Sequence, residues 1–212
     1  MRITKYEHSC IVVEEAGMTL VIDPGVYTQT LPPLTNVCAI IVTHVHPDHF
    51  DPKKLQAIQS KNPSATIYTV AEVAKELSKL KYEIVQAGTS KQCGDFHVSF
   101  FGGEHAIISD KLPVWQNVGI LVNETFYTPG DSFVVPENIA VDVLAVPAVA
   151  PWSKISETID FITAIKPKQA FPVHTAILSD IGSSIYLPRL QTAVEEAGGV
   201  FKNLKPTESI ET

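Results

Sequence analysis

The stretch "THVHPDHF", Thr43 to Phe50, places three of the chain's seven histidines and one aspartate within six positions. Imidazole and carboxylate groups are the side chains that hold zinc and its first-row neighbours. Three imidazoles this close repel one another when protonated, so metal binding is the chemistry the cluster suits. His46 precedes Pro47, which biases it toward extended backbone. In extended chain His44 and His46 project to the same side. Asp48 and His49 then begin the turn toward a helix. The arrangement suits two ions side by side, with His44 and His46 on one and Asp48 and His49 on the other.

One turn cannot complete two such sites, because a zinc ion takes about four ligands. Three further candidates stand where apolar runs give way to turn residues: His105 in "GGEHA", Asp131 in "YTPGDS" and His174 in "FPVHT". Alone, each has an ordinary reading as a hydrogen-bonded strand-end histidine or a turn aspartate. Beside the cluster, all three are candidate ligands. His97, inside "FHVSFF", is not. His8 fits either a pocket-lining or orienting role or a satisfied strand histidine. Trp115, Trp152 and Tyr186 fit either a pocket wall or the core.

The ordered set, HxHxDH followed by a distant histidine, a "GD" aspartate and a "PxH" histidine, resembles the metallo-β-lactamase superfamily of metal-dependent hydrolases. "VIDPG", Val21 to Gly25, resembles that superfamily's early aspartate motif. The "HSC" near the start is similar to the branch related to ascorbate-6-phosphate lactonase and to phosphodiesterases. The resemblance implies roles. His44, His46 and His105 would hold one metal, and Asp48, His49 and His174 the other. Asp131 would bridge them, Asp23 would orient the histidine turn, and Asp48 would also accept or relay a proton. The cofactors implied are two divalent ions, zinc first, with manganese or iron as alternatives. The implied fold is α+β, a four-layer αβ/βα sandwich with two mixed β-sheets. Glu7 replaces the glycine usual before "HS", and the loop after His105, residues 106–117, carries no family signature. Both lie where a substrate would be read.

The elements that must position these residues are legible as patterns. "RITKY", "CIVVEE" and "MTLVID" read as strands, with Ala16-Gly17 as a turn. "VCAIIVT", Val37 to Thr43, is a continuous apolar run and reads as a strand buried on both faces. Asp51 and Pro52 open a helix as N-cap and first residue. "TIYTV" is a strand, and "AEVAKELSKL" predicts a helix with Val73, Leu77 and Leu80 on one face. "YEIVQ", "FHVSFFG", "VGILVN" and "TFYTPGD" are strands, the last two joined through Asn123-Glu124. A strand "VDVLAVP", a helix carrying Ile155, Ile159, Ile162 and Ile165, and a strand "QAFPVHT" follow. A last helix runs from Tyr186 to Gly198-Gly199, and "VFKNL" is a last strand. Two strand blocks, each with hairpins and helices, predict two mixed sheets with helices outside. Residues 1–212 are expected to form one unit.

Composition narrows the function classes. A formal net charge of −7 with scattered lysines disfavours a nucleic-acid partner. No apolar run approaches the roughly 20 residues that span a bilayer, and the first residues carry no secretory pattern. Cys10, Cys38 and Cys93 are an odd, widely spaced set and read as free thiols of a reducing cytoplasm. No GxSxG or GxxxxGK[ST] motif is present. The reading is therefore a hydrolase that uses a metal-activated water on a small ester, lactone or phosphodiester. Two alternatives remain: an iron-dependent oxidoreductase on the same fold, and a non-catalytic metal binder. Oligomeric state is not legible.

Overall fold

The computed structural model describes all 212 residues, Met1–Thr212. Strands β1 (Arg2–Lys5), β2 (Ile11–Glu15) and β3 (Met18–Ile22) form an antiparallel meander. Glu15 pairs with Met18 across Ala16-Gly17, whose φ angles of 50° and 81° are those a type I′ turn requires. β4 (Val37–Val42) then adds in parallel to β3. Its residues are apolar and almost all buried, as a strand covered on both faces must be. Helix α1 (Pro52–Lys61) crosses over to parallel β5 (Thr66–Thr69), and β6 (Tyr82–Ile84) follows. Asp51 caps α1 by accepting from the Lys53 amide.

The predicted helix over residues 71–80 is shorter in the structure. Helix α2 covers only Ala71–Ala74, and the chain continues as tight turns through Lys79, which has a φ of 66°. Its backbone is drawn toward the second sheet instead: Glu72 and Gln116 each bond the other's amide through their side chains. Val73 and Leu77 are buried all the same. Burial periodicity was therefore readable where helix length was not.

The second sheet holds β7 (Ser90–Cys93), β8 (Phe96–Glu104), β9 (Gln116–Val122), β10 (Phe126–Thr128), β11 (Val143–Pro147), β12 (Gln169–Val173) and β13 (Val200–Phe201). Antiparallel pairing from β7 to β10 gives way to parallel pairing from β10 to β13. Asn123 and Glu124, at φ 49° and 51°, make the turn between β9 and β10. Helices α3 (Ile155–Ile165) and α4 (Asp180–Glu196) supply the crossovers. α4 starts six residues before the predicted Tyr186. Ser179 caps it by accepting from the Gly182 amide, and Pro188 is carried inside. The buried stripe of α3 is Thr158, Phe161, Ile162 and Ile165, with Ile155 and Ile159 at its margin. A final strand β14 (Ser209–Glu211) returns to pair with β1, so the first sheet runs β14-β1-β2-β3-β4-β5-β6. β7 and β14 were not foreseen.

The layers follow from strand alternation. In β11 and β12, Val143, Ala145, Phe171 and Val173 join the large core shared with the first sheet. Their neighbours Leu144, Val146 and Ala170 pack outward against Phe161, Leu187 and Leu190 of α3 and α4. With Leu55 and Ile58 of α1 buried on the other side, the fold is α+β, helix, sheet, sheet, helix. No helix is long and apolar enough to cross a membrane. Asp23, His105 and His174 each directly follow a strand, His44 stands two residues past β4, and Asp131 stands three residues past β10.

Candidate metal centre

Asp131 is the hub. Its carboxylate is buried, and four imidazole Nε2 atoms approach it: His49 at 3.0 Å and His174 at 3.2 Å from Oδ1, His105 at 3.2 Å and His44 at 3.7 Å from Oδ2. His46, half-buried, has a ligand atom within 4.8 Å of those of His44, His105 and Asp131. Asp48 stands in the same relation to His44 and His49. All seven residues singled out as ligand candidates thus converge on one spot, although they lie on four separate segments of the chain.

Two close approaches make this convergence sterically feasible. A Cβ on Gly130 would come within 2.2 Å of Asn117 Oδ1, and one on Gly25 within 2.1 Å of the Asp48 carbonyl. Glycine in "PGD" lets the Asp131 turn press against Asn117. Glycine in "DPG" lets the Asp23 loop lie on the histidine turn. Asn117 then clamps the first of these, donating to the Pro129 carbonyl at 2.9 Å and accepting from the Asp131 amide at 3.0 Å. His8, Asp23 and His174 hold left-handed backbone, at φ 60°, 47° and 61°. Non-glycine residues in that region cost energy that the surrounding structure must offset, and such strain gathers at functional sites.

Hydrogen-bond partners assign the ring tautomers. Asp23 accepts from the Thr43 amide and hydroxyl, both at 2.8 Å, and from His49 Nδ1 at 2.7 Å. Because the Thr43 hydroxyl spends its hydrogen on Asp23, its oxygen is left to accept from His44 Nδ1 at 3.0 Å. His105 Nδ1 donates to the Ala106 carbonyl at 2.5 Å. His44, His49 and His105 are therefore each held by Nδ1–H, with Nε2 turned toward Asp131.

The charges are arranged accordingly. Burial disfavours the imidazolium of His49, but Asp131 and Asp23 outweigh it and hold its pKa well above the ordinary value. Burial, then the neighbouring His49, pushes His44 well below its ordinary value. Burial works to raise Asp131, yet His49 and His174 hold it well below the usual carboxylate range.

Buried polar atoms test whether the set fits a cation. His44 Nε2, His105 Nε2 and Asp131 Oδ1 are buried without a hydrogen-bonding partner. Such atoms are costly unless something satisfies them, and lone pairs converging on one another are satisfied by a cation. The donor set of five imidazoles and two carboxylates, with no thiolate, fits divalent first-row metals. Residues 2–174 match the family described as the beta-lactamase superfamily domain.

The chain belongs to the metallo-β-lactamase superfamily.

Among its relatives in this superfamily, Protein Rv0786c of Mycobacterium tuberculosis is 36% identical over 195 residues, 90% of this chain and 91% of that one. A UPF0173 metal-dependent hydrolase of Carboxydothermus hydrogenoformans is 26% identical over 233 residues, covering 99% of both. The metallo-β-lactamase fold is shared with Igni18, a metallo hydrolase from Ignicoccus hospitalis. That match has a TM-score of 0.75 and 19% identity, and covers 99% of this chain and 97% of that one. It is shared also with CmlA, a diiron β-hydroxylase from Streptomyces venezuelae, at a TM-score of 0.74 and 14% identity, over 100% of this chain and 54% of that one.

Around this metallo-β-lactamase centre the structure places three residues that the sequence left open. His8 is buried and bonds Asp48 Oδ2 through Nε2 at 2.9 Å. His8 also has a ring nitrogen within 4.8 Å of those of His49 and His174. Its ring, however, stacks on that of His174 at 4.6 Å with only 3° between planes. Imidazole lone pairs lie in the ring plane, so stacked rings cannot both face one ion. His8 therefore acts on Asp48, from behind it. Trp152 donates to Asp131 Oδ2 at 2.7 Å. Trp115 packs edge-on to His46 at 4.6 Å. Tyr186 is half-buried on α4, and His97 is exposed on β8, outside the centre. Asn117 and Thr43 were missed, because nothing in a lone Asn or Thr marks it as a clamp.

Proposed function

We propose that the chain is a metal-dependent hydrolase whose centre takes two divalent ions. His44, His46 and His105 would hold one ion, Asp48, His49 and His174 the other, and Asp131 would bridge them. The observation that carries this reading is the Asp131 carboxylate ringed by four Nε2 atoms, three of them tautomerically fixed from behind. Bound there, zinc, manganese or iron would supply Lewis acidity and a water ionised near neutral pH.

The chain's own residues then divide the work. Asp23 and Thr43 hold the rings of His49 and His44. Trp152 and Asn117 hold Asp131. Burial disfavours the ionised form of Asp48, but the His8 bond and His49 outweigh it and hold the pKa below the ordinary value, so Asp48 is ionised at neutral pH. Its Oδ2 is committed to His8, so Oδ1 is the oxygen that would face the ion and, through its second lone pair, accept a proton. In the hydrolysis of a small ester, lactone or phosphodiester, water adds to the electrophilic centre and the bond to the leaving oxygen breaks. The proton surrendered by water passes to that oxygen by way of Asp48 Oδ1. Residues 1–212 act as one unit in this proposal, with β14 closing on β1. Three free thiols, Cys10, Cys38 and Cys93, suit a reducing cytoplasm.

The test is reconstitution. Protein stripped by a chelator should be inert toward a panel of esters, lactones and phosphodiesters. Zinc, manganese or iron should restore turnover of at least one. Stripped and reloaded protein with identical activity would defeat the proposal. An iron-dependent oxidoreductase is the second reading, because imidazole and carboxylate ligands also hold iron. It predicts dioxygen consumption by the iron-loaded protein.

A further inference from the structure

Scattered exposed apolar residues are ordinary, but a gathered set is not. Eight of the thirteen large apolar side chains that stand at least 36% exposed fall in three short segments, 24–27, 106–115 and 175–185. Each segment leaves the centre itself, immediately after Asp23, His105 or His174.

Their contacts keep them at the mouth. Tyr27 sets its ring edge-on to His8 at 5.2 Å, and the Val26 amide bonds the Pro47 carbonyl at 2.7 Å. The loop from Ala106 is closed at both ends on the centre: the Ala106 amide bonds the Asp131 carbonyl, and the His105 amide bonds the Trp115 carbonyl. Ile107 on that loop is 63% exposed. Beyond His174, Ile177 and Ile181 are 52% and 74% exposed, four residues apart across the start of α4.

Charge is scarce on the same rim. The three segments carry one basic side chain, Lys111, against Asp110 and Asp180. The neighbouring cations are spoken for: Lys5 is buried and bonds Thr175, Arg189 bonds the carbonyl of Ile185 at the end of the third segment, and Arg2 bonds Ser209 on the β1 edge. Recognition of a phosphate commonly uses an arginine fork or a lysine cluster, and these segments carry neither.

We infer that the substrate is an uncharged carboxylic ester or lactone bearing an apolar chain, with the chain lying on this rim and the carbonyl at the Asp131 centre. The inference rests on the hydrolase reading above and narrows it, setting phosphodiesters aside. The reaction is the addition of water across the acyl–oxygen bond, which breaks to give an alcohol and a carboxylic acid that releases its proton to solvent as a carboxylate.

The experiment has two arms. In the first, metal-loaded protein is assayed on p-nitrophenyl esters with acyl chains of two to ten carbons and on bis(p-nitrophenyl) phosphate. We expect kcat/KM to rise about tenfold or more along the ester series, as burial of even part of each methylene dictates, and the phosphodiester to be the poorest substrate. Double substitution Ile107→Ser with Ile181→Ser, at exposed positions, should flatten that rise by raising KM for long chains more than for the two-carbon ester. In the second arm, decanamide is titrated into metal-free protein and followed by the fluorescence of Trp115, with Trp115→Phe as control. Saturable binding that Ile107→Ser with Ile181→Ser weakens supports the rim, even if no ester is turned over and the hydrolase reading fails. A flat ester series without decanamide binding, or a preference for the phosphodiester, overturns the inference. So does a rim that proves to be a dimer seam, shown if the double variant dissociates a dimer and leaves the ester series unaltered.

Discussion

Trp152 donates its indole N–H to Oδ2 of Asp131 at 2.7 Å, from a position between β11 and α3. An indole nitrogen donates and cannot accept, so it fixes the carboxylate's orientation without offering a competing lone pair. The ring is itself wedged against Phe133 at 5.0 Å and set edge-on to His105 at 6.0 Å. Trp152→Phe preserves an aromatic in that wedge and removes the donor. Metal affinity should fall about tenfold, in the range lost when an outer partner of a ligand is removed. Competition against a chelating dye measures it, and unchanged affinity would reduce Trp152 to a packing role.

Asp23→Asn tests the tautomer assignment. An amide can place its nitrogen against His49 Nδ1, donor facing donor, so His49 would turn its bare nitrogen back toward residue 23. Its Nε2–H would then face Asp131. Affinity for the ion assigned to His49 should fall about 10- to 100-fold, with the other ion retained. Calorimetric titration of stripped protein with zinc resolves the two. Two unaltered binding steps would contradict the assignment.

His8→Phe removes the partner of Asp48 and keeps a ring to stack on His174. Both metals should remain, while kcat falls about tenfold or more. The His8 bond helps to depress the Asp48 pKa, so its loss raises that pKa. The acid limb of the kcat–pH profile should accordingly move to higher pH. A profile that does not move would mean that His8 has no hold on Asp48.

Lys5 is a prediction about stability. Its ammonium is fully buried, bonded only to the Tyr6 carbonyl at 3.3 Å and the Thr175 hydroxyl at 3.2 Å, and burial lowers its pKa to about 8. Between pH 8 and the ordinary lysine value of 10.5, the unfolded chain binds a proton that the folded chain does not. This group therefore makes stability rise with pH across that window, and its full cost is present below pH 8. Lys5→Met should be more stable than the parent at pH 7 by about 2 kcal/mol, the pKa shift less the two lost bonds. The gap should shrink as pH rises and reverse by about pH 10.5, where the lost bonds outweigh what is left of the burial penalty. Urea midpoints of both proteins at the two pH values decide the matter, and a variant less stable at both would show that the bonds outweigh the burial.

What could be read without coordinates, and what could not, divides by range. The Val37–Thr43 run is apolar throughout, so an interior strand leading into the histidine turn was legible from composition alone. His105, Asp131 and His174, each ordinary alone, became candidates because the histidine cluster needs further ligands and each stands where an apolar run gives way to a turn. The links that orient them were not legible. His8 reaches Asp48 across 40 positions, and Trp152 reaches Asp131 across 21. No local pattern encodes either contact; each exists only once the two sheets have packed. The shortened helix at residues 71–80 has the same cause, a long-range pair between Glu72 and Gln116 that overrides local propensity.

The central claim is that one carboxylate, Asp131, organises two ions, and zinc titration of stripped Asp131→Ala beside the parent tests it most directly. The parent should bind two equivalents. The variant should lose affinity at both sites together, whereas His174→Ala, which removes a ligand of one ion only, should lose one site and keep the other. An Asp131→Ala protein that still takes up two equivalents with the parent's affinity would contradict the bridging role and the dinuclear chemistry built on it.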